Sequence, residues 1–154
     1  MAAMTTHVVA DRRHGAPFHL LFTPAALAAM MGTFFVDLAY WRTADIMWMQ
    51  FSTWLVSAAT VLLYVGALAA ILDFFLGRFH VRALRGWPYL VGNLVALALA
   101  TLALLVHMRD GWTAVVPWGL TLSLLATLVL IVTNWISWRS AYDRAVMIER
   151  EIVS

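Results

Sequence analysis

The sequence predicts an all-α integral membrane protein, a four-transmembrane-helix up-down bundle. Of its 154 residues, 64% are hydrophobic and only 12% are charged. The mean hydropathy of +0.85 is too high for an ordinary water-soluble domain. Four apolar runs are each long enough to cross a bilayer, and short polar connections separate them. These observations exclude a soluble fold.

The apolar run at 51–76 is the longest, and the rest of the chain is organised around it. Its 26 residues include one formal charge, that of Asp73. At about 1.5 Å per residue the run makes about 39 Å of helix, longer than the hydrocarbon core of about 30 Å that it crosses. We therefore expect a tilted span against which the other helices pack.

Residues typical of membrane interfaces bound the other runs. Pro24 lies in the first turns of the first run, where its missing N–H is tolerated. Pro88 begins the third run, and tryptophans lie at both ends of the fourth. The predicted transmembrane domain covers 20–138, with spans at 20–41, 51–76, 88–108 and 113–138.

Polar segments flank the predicted spans. Residues 1–19 form a polar N-terminal segment without the pattern of a cleaved signal peptide. Residues 43–50 form a short connection that we expect in the headgroup layer. Residues 139–154 carry apolar side chains at helical spacing between charges, so we expect span four to continue as a helix beyond the membrane.

The distribution of arginine predicts the orientation. All ten basic residues are arginines, and eight of them lie in the two terminal segments and the connection between spans two and three. Only Arg42 and Arg109 lie in the other connections. By the positive-inside rule both termini are cytoplasmic. The absence of lysine and the abundance of alanine and leucine are typical of a GC-rich bacterium, so we expect the bacterial inner membrane.

Composition also limits the chemistry. The chain has no cysteine, which excludes disulfides, iron–sulfur clusters and covalently attached c-type haem. A net charge of +2 is too small to indicate nucleic-acid binding. No full catalytic constellation is present, so the interpretation leans against an enzyme.

Small residues recur at four-residue steps in every span, and each such stripe leads to a polar residue. Membrane helices associate through small residues and shared polar groups, so these stripes predict a closely packed bundle. The polar residues separate by depth into two predicted layers. One layer, at the cytoplasmic ends, contains Asp73, Asn93, Asn134 and Thr23; the other contains Asp37, His107, Arg42 and Arg109.

An ionisable side chain costs about 3 kcal/mol at the bilayer midplane and less near the interface, so each should have a partner. Asp73 is either a proton or ligand site or a structural acceptor for Asn93, Asn134 or Arg78. With two candidate amide partners, it is expected to contribute more to stability than Asp37. His107 is either a haem ligand or a partner of Asp37.

The motifs PFHLLFTPAALAAMMGTFFVDLAYW, LDFFLG and GWPYLVGN resemble the bacterial four-helix membrane proteins of domain-of-unknown-function family 2231. His19, Pro24, Asp37, Asp73 and Asn93 match the pattern of that family. Where the family often has histidine ahead of the asparagine, this chain has Tyr89. By analogy, the resemblance implies an association with redox assemblies of the membrane.

The resemblance also bears on cofactors. If two histidines of neighbouring helices bind haem b in this family, His19 supplies one ligand here and the other is absent unless His80 replaces it. His19 and His107 lie near opposite membrane faces and cannot share one iron. We therefore expect no cofactor, with haem b as the alternative.

Three functions are compatible with the sequence. The first is a small non-catalytic membrane subunit or anchor of a larger assembly, redox or photosynthetic. The second is a b-type haem or quinone-reactive electron carrier. The third is a small proton or solute conductor that uses the Asp73 layer.

Overall fold

The computed structural model describes residues 19–76, 86–109 and 115–153. Within them the chain is helical and has no strand. Each helix contains a stretch long and apolar enough to cross a membrane, which confirms the predicted four-helix fold. The helices are α1 (His19–Thr43), α2 (Ile46–Phe75), α3 (Gly86–His107) and α4 (Leu120–Val153), the last preceded by a π-type segment at Val115–Gly119.

The connection between α1 and α2 is shorter than the sequence predicts. Only Ala44 and Asp45 are non-helical, and α2 begins at Ile46 rather than near residue 51. Ala44 has a φ of 53°, an uncommon left-handed conformation that reverses the chain. The Asp45 carboxylate then accepts a hydrogen bond of 2.9 Å from the Met47 N–H and so caps α2. This cap explains why α2 begins at Ile46 and not near residue 51.

The start of α4 is bent. Val116 precedes Pro117 and has extended angles of −121° and 126°, because the proline ring disfavours helical angles in the residue before it. The regular helix begins at Leu120 and continues to Val153. Its 34 residues make about 51 Å of helix. Span four therefore continues as a helix into the C-terminal segment, as predicted.

Each helix packs against its neighbours in the chain, and α1 also packs against α4 to close the bundle. The α1–α2 contact is the most extensive of the four interfaces and the α2–α3 contact the least extensive. Alanines make much of the core, which lets the helix backbones approach closely. The fully buried alanines are Ala26, Ala59, Ala96, Ala100, Ala103 and Ala126.

The small-residue stripes fit the structure better in α3 and α4 than in α1 and α2. Ala96, Ala100 and Ala103 of α3 are buried, as expected. In α1, by contrast, Ala25 is exposed and its neighbour Ala26 is buried, whereas Thr33 and Asp37 of the same four-residue stripe are buried. A stripe in an alanine-rich helix has several equivalent registers, and contacts with the neighbouring helices select one.

Candidate functional site: a carboxylate shared by four helices

Asp37 of α1 is completely buried, and its carboxyl group forms a hydrogen bond with each of the other three helices. Ser52 of α2 donates its hydroxyl proton to Oδ1. Ser123 of α4 donates to Oδ2 at 2.6 Å. His107 of α3 places Nε2 at 3.0 Å from Oδ1. We call Asp37, Ser52, His107 and Ser123 the carboxylate cluster.

The helix ends bring these four residues together. Asp37 lies six residues before the end of α1, and Ser52 lies six residues after the start of α2. The two-residue turn therefore places Asp37 and Ser52 at the same depth, on the two adjacent helices of the hairpin. His107 ends α3, and Ser123 is in the first turn of α4. The cluster thus lies at one end of the bundle, which we call the Asp37 end.

Both ring nitrogens of His107 face oxygen atoms. Nδ1 is 2.7 Å from the carbonyl oxygen of Ala103, one turn earlier in α3. Nε2 faces the Asp37 carboxylate, and both side chains of this pair are fully buried. A doubly protonated imidazolium donates to both acceptors, whereas a neutral ring satisfies both only when the carboxyl group carries the proton.

The cluster differs from the arrangement that activates a nucleophile. In a catalytic triad the serine hydroxyl bonds to the imidazole, which removes its proton. Here both serines donate to the carboxylate, and the imidazole also bonds to that carboxylate. The described residues also contain no group of three or more histidine, cysteine or acidic side chains that could bind a metal ion. The geometry is suited to joining helices.

The two arginines of the same predicted layer lie apart from the cluster. Arg42 is exposed, with its guanidinium carbon 5.6 Å from the centre of the Trp41 ring. Arg109 is also exposed, two residues beyond the end of α3. The structure thus brings Asp37 and His107 together and leaves the two cations at the surface. Sequence reasoning missed Ser52 and Ser123 as partners of Asp37. The signal that could have identified them is a serine hydroxyl in an apolar span at the same depth as Asp37.

The opposite end of the bundle, which we call the Asp73 end, contains the other predicted layer. Asp73 is completely buried near the end of α2. The amide of Asn93 donates to the Tyr89 carbonyl at 2.9 Å, and that of Asn134 donates to the Leu130 carbonyl at 2.8 Å. Both bonds stay within one helix. Each amide therefore has one hydrogen bond to the backbone of its own helix, and the expected bonds from these amides to Asp73 stay a prediction.

One hydrogen bond at the Asp73 end crosses between α1 and α3. The hydroxyl oxygens of Thr23 and Tyr89 are 3.1 Å apart. Tyr89 occupies the position where the resemblance leads us to expect a histidine, and Thr23 is a residue of the predicted layer. Sequence reasoning singled out Tyr89 only as a departure from the family pattern, and the structure gives it a partner on another helix.

A cavity of about 410 Å³ lies between α2 and α3 at this end. Its wall is apolar apart from Thr23, Tyr89 and Asn93. Farther along the same two helices the Thr60 hydroxyl lies 3.3 Å from the Ala100 carbonyl, and the hydroxyls of Tyr64 and Thr101 are 3.1 Å apart. These contacts hold α2 and α3 together near the middle of the bundle. The cavity lies between the same two helices, nearer the Asp73 end.

The haem alternative depends on His19 and His80, whose side chains are outside the part of the chain that the structure describes. His80 belongs to the connection between α2 and α3, at 77–85, which is not among the described residues. His19 begins α1, but its side chain is likewise outside the description. The expectation that no cofactor binds, and the haem b alternative, both stay predictions.

The fold and the cluster define a class: a multi-pass membrane protein of four apolar helices, embedded in lipid and joined at one end through a buried carboxylate. A family model described as "Predicted membrane protein (DUF2231)" matches residues 15–150. The chain belongs to this family, which confirms the resemblance seen in its motifs. No curated protein and no solved structure matches the chain.

Proposed function

We propose that the protein is a small non-catalytic membrane subunit, or anchor, that packs within a larger membrane assembly. The observation that carries the proposal is the closed hydrogen bonding of Asp37. Both carboxylate oxygens are occupied by side chains of the protein itself, and the carboxylate is fully buried. A carboxylate used in this way stabilises a scaffold rather than receiving a substrate.

The outer surface supports the same proposal. Large aromatic side chains point away from the alanine-rich core: Trp54 is 77% exposed, Phe75 79% and Trp118 69%. In a membrane these rings contact lipid or another helix, and aromatic residues are favoured at protein interfaces. A redox or photosynthetic assembly is proposed by analogy with the family resemblance, and electron transport would then belong to the partner subunits.

The structure gives less support to the proton or solute conductor. A path between Asp37 and Asp73 crosses the middle of the bundle, where Met30, Val56 and Leu130 are completely buried. The buried threonines of this region, Thr33, Thr60 and Thr127, donate to backbone carbonyls of their own helices. Aliphatic side chains and hydroxyls bonded to carbonyls favour packing over a side-chain relay for a proton. The haem or quinone-reactive carrier is retained as the alternative, with His19 and His80 as the candidate haem ligands.

Co-migration in native membranes tests the subunit proposal. An affinity-tagged chain, extracted with a mild detergent, should migrate as a stoichiometric complex with subunits of a redox assembly. Trp54→Ala should release the chain from that complex without lowering its melting temperature, because Trp54 faces outward. Asp37→Ala is the contrasting variant, since it should lower the melting temperature of the chain itself. Migration of the wild-type chain by itself in every detergent would refute the proposal.

We also propose that both termini face the cytoplasm of a bacterial inner membrane, on the basis of the arginine distribution. A reporter that is active only in the periplasm should work when inserted at Ala44 or after Arg109 and fail at either terminus. The same reporter at residue 82, in the connection between α2 and α3, is the matched control and should be inactive. The reverse pattern would invert the orientation.

A further inference from the structure

The cavity between α2 and α3 has three walls. Two of them are α2 and α3, and Thr23 of α1 belongs to the third. Helix α1 lies close to α2 here, since a methyl group on Gly66 would lie 3.3 Å from the Cβ of Phe22. On its cavity side α2 carries Gly66, Ala67 and Ala70, which are too small to fill the space. We call this cavity, of about 410 Å³, the α2–α3 slot.

The slot has the depth of one membrane leaflet. It extends along α2 from Leu62 to Phe75, about 20 Å of helix, whereas half of the hydrocarbon core is about 15 Å thick. Beyond Leu62, the Thr60 hydroxyl lies 3.3 Å from the Ala100 carbonyl, so α2 and α3 are in contact past the deep end of the slot. The slot therefore runs from the membrane surface to the region of the bilayer midplane and ends there.

The remaining side of the slot is open to the lipid. Ile71, Phe75 and Leu94 line the slot and are more than half exposed. These side chains belong to two helices that are apolar and long enough to span the membrane, so the slot is continuous with the lipid-facing surface. A hydrocarbon chain of the bilayer can therefore enter the slot sideways.

The polar side chains of the wall do not require a polar occupant. The hydroxyl oxygens of Thr23 and Tyr89 are 3.1 Å apart, and the Asn93 amide donates to the Tyr89 carbonyl at 2.9 Å. All other residues of the wall are apolar. A hydrocarbon occupant leaves these hydrogen bonds in place and supplies dispersion contacts to side chains that otherwise face a void. The wall therefore fits a hydrocarbon chain.

We propose that the α2–α3 slot binds one acyl chain of a phospholipid from the adjacent leaflet, with the glycerol end of the chain near Phe75 and its methyl end near Leu62. The bilayer is the source, because the open side of the slot faces it and the slot has the depth of one leaflet. Three walls hold this chain, whereas lipids on the outer surface touch the protein on one side. The bound chain completes the packing between α2 and α3, which form the least extensive of the four helix interfaces. This binding goes beyond the proposed anchoring role and does not depend on it.

Photo-crosslinking in a bilayer tests the site. The full-length chain is placed in phosphatidylglycerol nanodiscs in which some of the lipid carries a diazirine midway along one acyl chain. Leu68 is exposed on the outer surface and should be labelled by the surrounding lipid. Gly66 and Ala67 are half-buried and line the slot, so label on them reports the bound chain. Mass spectrometry of the intact protein released from the nanodiscs should find one retained phospholipid per chain.

Two variants that fill the slot and one control complete the experiment. Ala70→Phe should remove the label from Gly66 and Ala67 and abolish lipid retention, while Leu68 keeps its label. Ala98→Phe makes the same change on the exposed face of α3 and should behave as the wild type. If Ala70→Phe fails to fold, Ala67→Leu is a smaller filling substitution, and the loss of label at Gly66 is then the result expected.

Two outcomes would overturn the proposal. The first is label that is confined to exposed residues such as Leu68 in the wild type, or that is equal at Gly66 in the wild type and in the filled variants. The slot would then hold no acyl chain. The second is a doubled mass without retained lipid, which would assign the slot to the interface with a second copy of the chain.

Discussion

At the Asp37 end of the bundle, side chains of three helices donate to one carboxylate on the fourth. At the Asp73 end, the amides of Asn93 and Asn134 bond to the backbone of their own helices. Both ends contain a fully buried aspartate, so polarity alone does not separate them. At the Asp37 end one carboxyl group bonds to all three other helices. At the Asp73 end the Thr23–Tyr89 bond joins α1 to α3, and a cavity lies between α2 and α3.

This comparison reverses the stability ranking expected from the sequence. Asp37 has a hydrogen-bond partner on every other helix. Hydrogen bonds between membrane helices average about 0.6 kcal/mol and reach about 1.7 kcal/mol. A carboxylate that accepts three of them, one from a histidine, should therefore dominate the polar contribution to stability.

The largest effect is expected for Asp37→Ala. It leaves His107 and two serines without their acceptor, so the free energy of unfolding should fall by about 2 to 4 kcal/mol. Asp37→Asn retains one acceptor oxygen and should cost less. Reversible unfolding in mixed micelles measures both. A smaller loss for Asp37→Ala than for Asp73→Ala would restore the ranking expected from the sequence.

Gly92→Ala probes packing at the Asp73 end. An added methyl carbon would lie 2.2 Å from the Thr133 hydroxyl oxygen, in the α3–α4 interface. Because Thr133 is stiff and buried, we expect a loss of about 1 to 3 kcal/mol. Thr133→Ala should recover much of this loss in the double variant. Gly32→Ala is the control, since it meets only the flexible end of Leu55. Equal melting temperatures for both glycine variants would contradict this close approach.

Ser52→Ala and Ser123→Ala test the two serine hydrogen bonds of the carboxylate cluster one at a time. Each should lower the free energy of unfolding by about 0.6 to 1.7 kcal/mol, and the double variant should deviate from additivity because both serines bond to one carboxylate. Ser57→Ala is the matched control. Its hydroxyl donates to the Thr53 carbonyl of the same helix at 2.7 Å, so its loss should change stability little. Additive serine effects would argue against a shared acceptor.

The smallest effect is expected for Tyr89→Phe. It removes the hydrogen bond to Thr23 and leaves the ring in place, so the loss should be about 0.5 kcal/mol. The melting temperature should therefore fall less than for either cluster serine. A loss as large as that of Asp37→Ala would show that the Thr23–Tyr89 contact holds the Asp73 end as firmly as the cluster holds the other.

The existence of the four helices was predicted correctly, but two helix starts were misplaced. The α2 start needed the Asp45 cap to be recognised, and the α4 start depended on Pro117 holding Val116 out of the helix. Both signals are local and visible in the sequence. The contact between Asp37 and His107 was one of two alternatives for His107, because depth alone places the two residues near the same membrane face.

The sequence by itself determined the four apolar helices and the family, because hydrophobicity and helical rise fix how many times a chain can cross a bilayer. Only the tertiary structure decided which polar residues meet. The hairpin turn aligns Ser52 with Asp37, and the bent start of α4 precedes Ser123. Partner choice depends on the rotation of each helix about its axis, which alanine-rich stripes leave open and which packing among all four helices settles.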